Sequence, residues 1–455
     1  MFTKLWPICS RGRTGLSEMS YSTPLDNDLP GFAPRDRYGA WRAAVAAVIV
    51  ACLTFNFVLA FVNTNLSSIR ETHVILTELI LVGLAFALAL TRSGAFYALM
   101  LLFAGYMAFI FALRPELDLK AVRDVLIALV FYFVGRKVRS ISDADRIVMI
   151  SAAVVAAVGL FEFLQLEQFT ALVNIFDYYV ARGTLSAGDN FVEGSNLFIS
   201  STRLEGRNFL PFLGQVRASS VFLEPVTMGN FGAFLFLWAL YRNDMKGRYV
   251  LAVAGALVII LGDARFGLFV CLAFAAALPF IKTMPRLIWW LLPFVIMAAL
   301  VIIGQYMEGM PWEDDFIGRV VLSGQLITKL TWTSTFGISR NVPFFGDSGY
   351  AYTLGHIGLI GIMMFWSLFM FAPEHRKDAT RFKALAAIFI CLLLIVSSSL
   401  FSIKLAALFW FTAGAVDADN GGTSISSVSE DAVDYARPSS VAEPIRRLRA
   451  LMGSS

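Results

Sequence analysis

The sequence predicts an all-α, polytopic membrane protein of about twelve transmembrane helices. Its 455 residues are 58% hydrophobic and only 15% charged, with mean hydropathy +0.69, against the roughly 25% charged residues of soluble domains. The apolar residues collect in runs near the ~20 that carry a helix across ~30 Å of hydrocarbon, and alternating strand patterns are missing, which selects helices over a closed barrel. Lysine and arginine gather in alternate short loops, as they do on the cytoplasmic side of a membrane.

Residues 1–40 are polar and basic, with Arg11, Arg13, Arg35 and Arg37, and have no apolar core followed by a small-residue cleavage site. They read as a cytoplasmic tail and not as a cleaved signal peptide. Apolar runs then fall at about 41–62, 74–91, 94–113, 121–135, 147–165, 219–241, 249–262, 266–281, 287–305, 351–371, 384–402 and 405–416. With the N-terminus inside, the inside loops hold Arg92; Arg136, Lys137, Arg139 and Arg146; Arg242, Lys246 and Arg248; Lys282 and Arg286; and Arg376, Lys377, Arg381 and Lys383. The runs 249–262 and 266–281 have basic flanks on both sides, so the chain must go out and return between them. This puts Asp263 and Arg265 at the outer tip of a tight helical hairpin. Two long outer loops, 166–218 and 306–350, are too polar to be buried in lipid; loops of that length are functional or disordered, and their density of aromatics argues for folded, membrane-hugging loops. Residues 417–455 form a second cytoplasmic tail, with Arg446, Arg447 and Arg449 as a small basic patch.

Cys9, Cys52, Cys271 and Cys391 lie far apart, as do His73, His356 and His375. Neither a disulfide framework nor a zinc pattern fits that arrangement, so no metal or cofactor is expected, and no nucleic-acid partner.

The outer face instead collects arginine: Arg203, Arg207, Arg217, Arg265, Arg319 and Arg340. The guanidinium fork matches phosphate and carboxylate and stays charged at any relevant pH. The set reads as a site for an anionic ligand, most naturally a lipid pyrophosphate; the plainer reading is phospholipid headgroups or pairing with nearby acids. Glu224-Pro225 sets the start of a helix, because proline is tolerated in the first turn, and puts a carboxylate at the positive end of the helix dipole. Glu224 is either a general base or merely a cap or partner of Arg217. Asp347 and Tyr350, in the Gly346–Tyr350 segment before the span 351–371, offer an acceptor and a phenol on the same face, or an ordinary turn. Glu78, Glu162 and Lys404 interrupt apolar runs and read as structural hydrogen-bonding groups. Arg123 and Asp124 are adjacent, cannot share a helix face, and are expected to pair elsewhere.

Several stretches resemble the bacterial O-antigen polymerase and ligase superfamily, nearest to exopolysaccharide polymerases of the xanthan type. VRASSVFLEPVTMGN (216–230) is similar to the segment that opens a helix after the first long periplasmic loop. ILGDARFGLF (260–269) resembles a hairpin where the family has a Ser-Arg pair, and FFGDSGYAYTLGHIGLIGIMMF (344–365) resembles the end of the second long loop. VRDVLIALVFYFVG (122–135) has the family's look as well. One Arg-to-Gly spacing, Arg203 to Gly214, matches a pattern of such loops, whereas Arg319 and Arg340 lack it. Where the ligase branch has a histidine this chain has Asp347, which favours a polymerase.

The resemblance implies a metal-independent glycosyltransferase of the bacterial inner membrane, joining undecaprenyl-pyrophosphate-linked oligosaccharides. It implies Arg217 and Arg265 on the pyrophosphate, Arg203 and Arg207 as secondary anion contacts, Glu224 or Asp347 as the base, and Tyr350 and Asp263 as substrate contacts. The bilayer, a flippase and chain-length or export proteins would be its partners. A ligase-like transferase and a transporter are the alternatives; a transporter would carry internal repeats and polar groups along a path through the membrane.

Overall fold

The computed structural model describes residues 34–418 apart from 92, 115–118, 191, 193, 204–205, 311–315, 340–344, 346 and 377. Arg340 and most of the two expected tails therefore lie outside the described residues. The described residues are helical, with one isolated bridge between Thr202 and Val216. The helices are α1 (Pro34–Asn65), α2 (Glu71–Ala89), α3 (Gly94–Leu113), α4 (Leu119–Arg136), α5 (Ile141–Leu164), α6 (Leu166–Leu172), α7 (Ile175–Ala181) and α8 (Pro225–Tyr241). They continue as α9 (Arg248–Leu261), α10 (Arg265–Ile281), α11 (Arg286–Tyr306), α12 (Phe316–Thr328), α13 (Trp332–Thr335), α14 (Gly349–Met370), α15 (Ala379–Val396) and α16 (Ile403–Val416). The chain divides within α1 into two units, residues 1–44 and 45–455. In the first, Tyr38 stacks on Trp41 with ring centroids 5.6 Å apart.

A helix lies in every expected apolar run. Seven of them, in α1, α2, α3, α5, α11, α14 and α15, are long and apolar enough to cross a membrane; α8, α9, α10, α12 and α16 are shorter. The eighteen-residue α4 falls outside the seven because it carries Lys120, Arg123, Asp124 and Arg136. Two expectations, on where the tails begin and end, need correction, while the second long loop is folded as expected. Helix α1 starts at Pro34, inside the stretch expected to be a tail. The second long loop contains α12, an apolar-faced helix that lies against α11. Asp417, expected to begin a polar tail, is fully buried, accepts from the Tyr132 hydroxyl at 2.8 Å and pairs with Lys383 at 3.4 Å.

Within the second unit, burial separates central helices from peripheral ones. In α15, 83% of the apolar window is buried, against 22% in α3 and 28% in α2. A helix that is apolar all round belongs either in a core or against lipid, and these percentages assign one role to each. The tightest contact joins α4 to α16: a Cβ on Gly414 would lie 1.9 Å from the Tyr132 carbonyl oxygen, and one on Gly135 2.0 Å from that of Phe411. Only glycine lets the two backbones approach so closely, and the approach lies in the last turns of both helices. In α14 the chain kinks at Gly358, with φ +68°, where a Cβ would meet the Phe336 carbonyl oxygen at 2.3 Å.

Bonds between helix termini sort the second unit into two ends. At one, Lys137 donates to the carbonyls of Leu88 and Leu90 at the end of α2, and Arg242 at the end of α8 pairs with Asp145 in the first turns of α5 at 2.9 Å. Lys383, near the start of α15, meets Asp417 beyond the end of α16. At the other lie the starts of α4, α8, α14 and α16, the end of α9, and α6 and α7.

A charged cluster around Glu224 as the candidate functional site

Pro225 is the first residue of α8 and Glu224 its N-cap residue, as the Glu-Pro pair predicts. The carboxylate does not close onto the helix's own N–H groups. It accepts from Tyr179 Oη at 2.5 Å and Thr227 Oγ1 at 2.8 Å, and pairs with Lys404 Nζ at 3.2 Å. The expected alternative partner, Arg217, makes none of these bonds. Lys404 is brought here by the start of α16, is almost fully buried, and also donates to the Phe222 carbonyl at 3.1 Å. The Glu224 side chain keeps 31% of its surface exposed, so it is fixed but reachable. Removal from water pushes its carboxyl upward; Lys404 and the hydrogen bonds from Tyr179 and Thr227 outweigh this and hold it below the ordinary range. Burial and the Glu224 charge push the Tyr179 phenol well up, so it stays a donor.

The same end holds a second set of charges. Arg123 donates to Asp124 Oδ1 through Nε at 2.9 Å and Nη2 at 2.7 Å, and to Glu78 through Nη1. Each neighbour thus finds a partner elsewhere, as expected, Arg123 in Glu78 and Asp124 in Tyr352, and the two also pair with each other, which was not expected. Asp124 Oδ2 accepts from Tyr352 Oη at 2.5 Å, and Lys120 Nζ stands 5.2 Å from the Tyr352 ring centroid. Just after α7, the Arg182 guanidinium lies 5.7 and 5.3 Å from the ring centroids of Tyr178 and Tyr179. Tyr178 ties the sets together: burial and the charges of Glu78 and Glu224 push its phenol up to about 12, against the pull of Arg182. Three carboxylates (Glu78, Asp124, Glu224) therefore share one region with four cations (Lys120, Arg123, Arg182, Lys404).

The arginines singled out in the sequence are employed differently. The last carbonyls of a helix have no partner within it. At the end of α9 they are taken by Arg207, which donates to Ile260 and Leu261, and by Arg217, whose Nε donates to Gly262 at 3.0 Å. Arg217 Nη1 also donates to Ser200 at 3.0 Å, and Arg207 Nη1 to Val216 at 3.2 Å. Both arginines are 3% exposed. Burial pushes the Arg207 guanidinium down from its usual value, opposed by Asp263. Asp263 sits at the hairpin tip with φ 46° and is 1% exposed. It accepts from Asn208 N at 3.0 Å, Asn208 Nδ2 at 2.9 Å and Phe209 N at 2.7 Å, so its carboxylate anchors a loop and is not open to substrate. The tip does meet Arg217, but through the Gly262 carbonyl and not through Arg265, which opens α10 and is half-buried. Arg203 is half-buried, its N–H donating to the Gln215 carbonyl at 2.9 Å. Asp347 is exposed and pairs with Arg319. Tyr350 is buried in the first turn of α14, next to Cys391, too deep to position a sugar.

Of the residues singled out in the sequence, Glu224 lies in this cluster, and its companions Tyr179, Arg182 and Lys404 were not linked to it. The signal available was Lys404 itself, a lysine inside an apolar run that needs a buried partner. Among the described residues, no three His, Cys, Asp or Glu side chains are grouped as a metal site requires. Compared with protein-family models, curated proteins and solved structures, the chain gives no match.

Proposed function

We propose that the chain is a polysaccharide polymerase joining undecaprenyl-pyrophosphate-linked oligosaccharide repeat units at the periplasmic face of the bacterial inner membrane. In this reading all of the roughly twelve apolar helices cross the membrane, both termini are cytoplasmic, and the end carrying Glu224 faces the periplasm. The observation that carries the reading is the Glu224 carboxylate, held ionised and reachable at the mouth of α8, within a cluster supplied with cations by α4, α16 and the end of α7.

The acceptor hydroxyl attacks the anomeric carbon of the donor unit, the bond from that carbon to the pyrophosphate oxygen breaks, and undecaprenyl pyrophosphate departs. Glu224 takes the hydroxyl proton, which becomes acidic as the new bond forms, so a carboxylate of low pKa suffices. Arg182 and Lys120 neutralise the leaving pyrophosphate, with Arg265 and Arg203 as further cations of the same face. Arg123, held between Glu78 and Asp124, positions the cluster. Of the two carboxylates considered for the base, Glu224 is chosen over Asp347 because it combines fixed partners with partial exposure. Arg207, Arg217 and Asp263 build the loop that leads into α8.

The test supplies the purified protein in lipid with undecaprenyl-pyrophosphate oligosaccharide alone. A ladder of products is expected, unchanged by a chelator. Absence of a ladder unless a separate protein or lipid acceptor is added overturns the polymerase reading and favours a ligase-like transferase.

A further inference from the structure

A buried turn, residues 219–223, leads into Glu224 and α8, and its backbone is strained. Ser219 lies in the right-handed region with φ −111°, and Ser220 turns left-handed with φ 52°. Leu223 is left-handed as well, with φ 63°. Neither left-handed residue is a glycine, and a side chain at positive φ persists only where the surroundings impose it. Here α5 imposes it. A right-handed residue followed by a left-handed one turns successive N–H groups to one side, forming a cup for an anionic oxygen. The fully buried Glu162, in the last turn of α5, fills the cup: its Oε2 accepts from Ser219 N at 2.8 Å and Ser220 N at 2.6 Å. Ser220 Oγ adds a second tie to the same helix, donating to the Val155 carbonyl at 2.7 Å. Lys404 then joins the turn to the carboxylate, donating to the Phe222 carbonyl at 3.1 Å and to Glu224 Oε1 at 3.2 Å.

We propose that Glu162 is a positioning residue: with the Ser220 hydroxyl it holds this turn left-handed, and the turn aims the Glu224 carboxylate at Lys404 and Tyr179. An acidic side chain at the start of a helix ordinarily accepts from the first N–H groups of that helix, and Glu224 does not. The direction in which the chain enters α8 decides between the two arrangements, and Val221, Phe222 and Leu223 are all that separates the clamped Ser220 from Glu224. The groups facing the carboxylate are Lys404 of α16, Thr227 of α8, and Tyr178 and Tyr179 of α7 with Arg182 over their rings. Lys404 is bonded to the turn as well, so loosening the turn loosens the ion pair. The reacting role of Glu224 rests on the polymerase reading; the clamp on its carboxylate does not.

The experiment follows the Glu224 carboxyl by infrared titration of the full-length protein in lipid nanodiscs, with the Glu224→Gln spectrum subtracted, alongside the laddering assay. Three variants are compared with wild type. Glu162→Leu removes the acceptor, Glu162→Gln keeps an oxygen for both N–H groups, and Ser220→Ala removes only the hydroxyl tie. With Lys404 drawn away, the Glu224 titration should move to higher pH in Glu162→Leu, by a smaller step in Ser220→Ala, and stay near wild type in Glu162→Gln. In the ladder, Glu162→Leu should lower turnover by about a hundredfold, the effect of a displaced catalytic group, with KM for the donor near wild type. A merely structural Glu162 would lower the melting temperature and leave the Glu224 titration in place, and that result overturns the proposal. Should Glu162→Leu fail to fold, an unmoved titration in Ser220→Ala overturns it equally. A titration that moves, without any ladder from wild type, upholds the positioning role and removes the polymerase reading; a wild-type ladder with an unmoved titration does the reverse.

Discussion

The arginine-rich segment 200–218 and the cluster around Glu224 sit at the same end of the molecule and use charge in opposite ways. In the first, Arg207 and Arg217, together with Asp263 at the hairpin tip that the segment packs on, are buried and matched to backbone groups: carbonyls at the end of α9 and N–H groups of the loop at 208–209. In the second, side chains meet side chains, and Glu224 keeps a surface open. Irregular backbone in a low-dielectric setting must find partners, and charged side chains supply strong ones. A charge committed to backbone holds a shape; a charge held by other side chains, and still reachable, can act on a ligand.

Substitutions can break this contrast. The largest effect is expected for Glu224→Gln, which keeps an oxygen for Tyr179 and Lys404 but cannot take a proton. Laddering should fall by about a hundred- to ten-thousand-fold while membrane abundance stays near wild type; full activity would remove Glu224 as the base. Asp263→Asn tolerates the positive φ but loses the charge that three donors share, and should cost on the order of 2 kcal/mol of stability. Thermal unfolding in detergent checks this, and the remaining folded protein should retain its specific activity. Arg217→Met belongs with Asp263, with lowered melting temperature and abundance as its main effects. Arg182→Gln belongs with Glu224: the KM for the lipid-linked donor should rise by about tenfold, equivalent to roughly 1.4 kcal/mol, with melting unchanged. Equal losses of stability in Arg182→Gln and Arg217→Met would erase the distinction.

The smallest effect concerns pH. Because the Glu224 carboxyl is held below its ordinary range, the ionised form persists as pH falls, and activity should be lost only on passing through that lowered value. Its contribution to stability has the same sign, present above the unfolded-state value and lost as pH drops through the folded one. Lys404→Met removes the charge that lowers it, so the acid limb of the pH profile should move to higher pH. An acid limb that stays where it is would show that Glu224 is not the group being titrated.

Particular residues show how far the sequence could be read. Glu224-Pro225 announced a helix start because proline's missing N–H is harmless only in the first turn. The break between α9 and α10 falls where the basic flanks require a return, with Asp263 in the turn and Arg265 opening α10. Partners were not legible: Lys404 stands 180 positions from Glu224, and Glu78 stands 45 from Arg123. Nor was the use of Arg207 and Arg217, because a carbonyl at a helix end leaves no mark in side-chain identity.

By itself the sequence determined that the chain is all-helical and rich in helices fit for a membrane, because composition and run length fix how a chain meets water and hydrocarbon. It also determined where α8 begins. Only the tertiary structure decided which charges meet. That depends on how closely helices pack, as Gly135 and Gly414 allow α4 and α16 to do, and on which backbone groups are left needing a partner once they have packed.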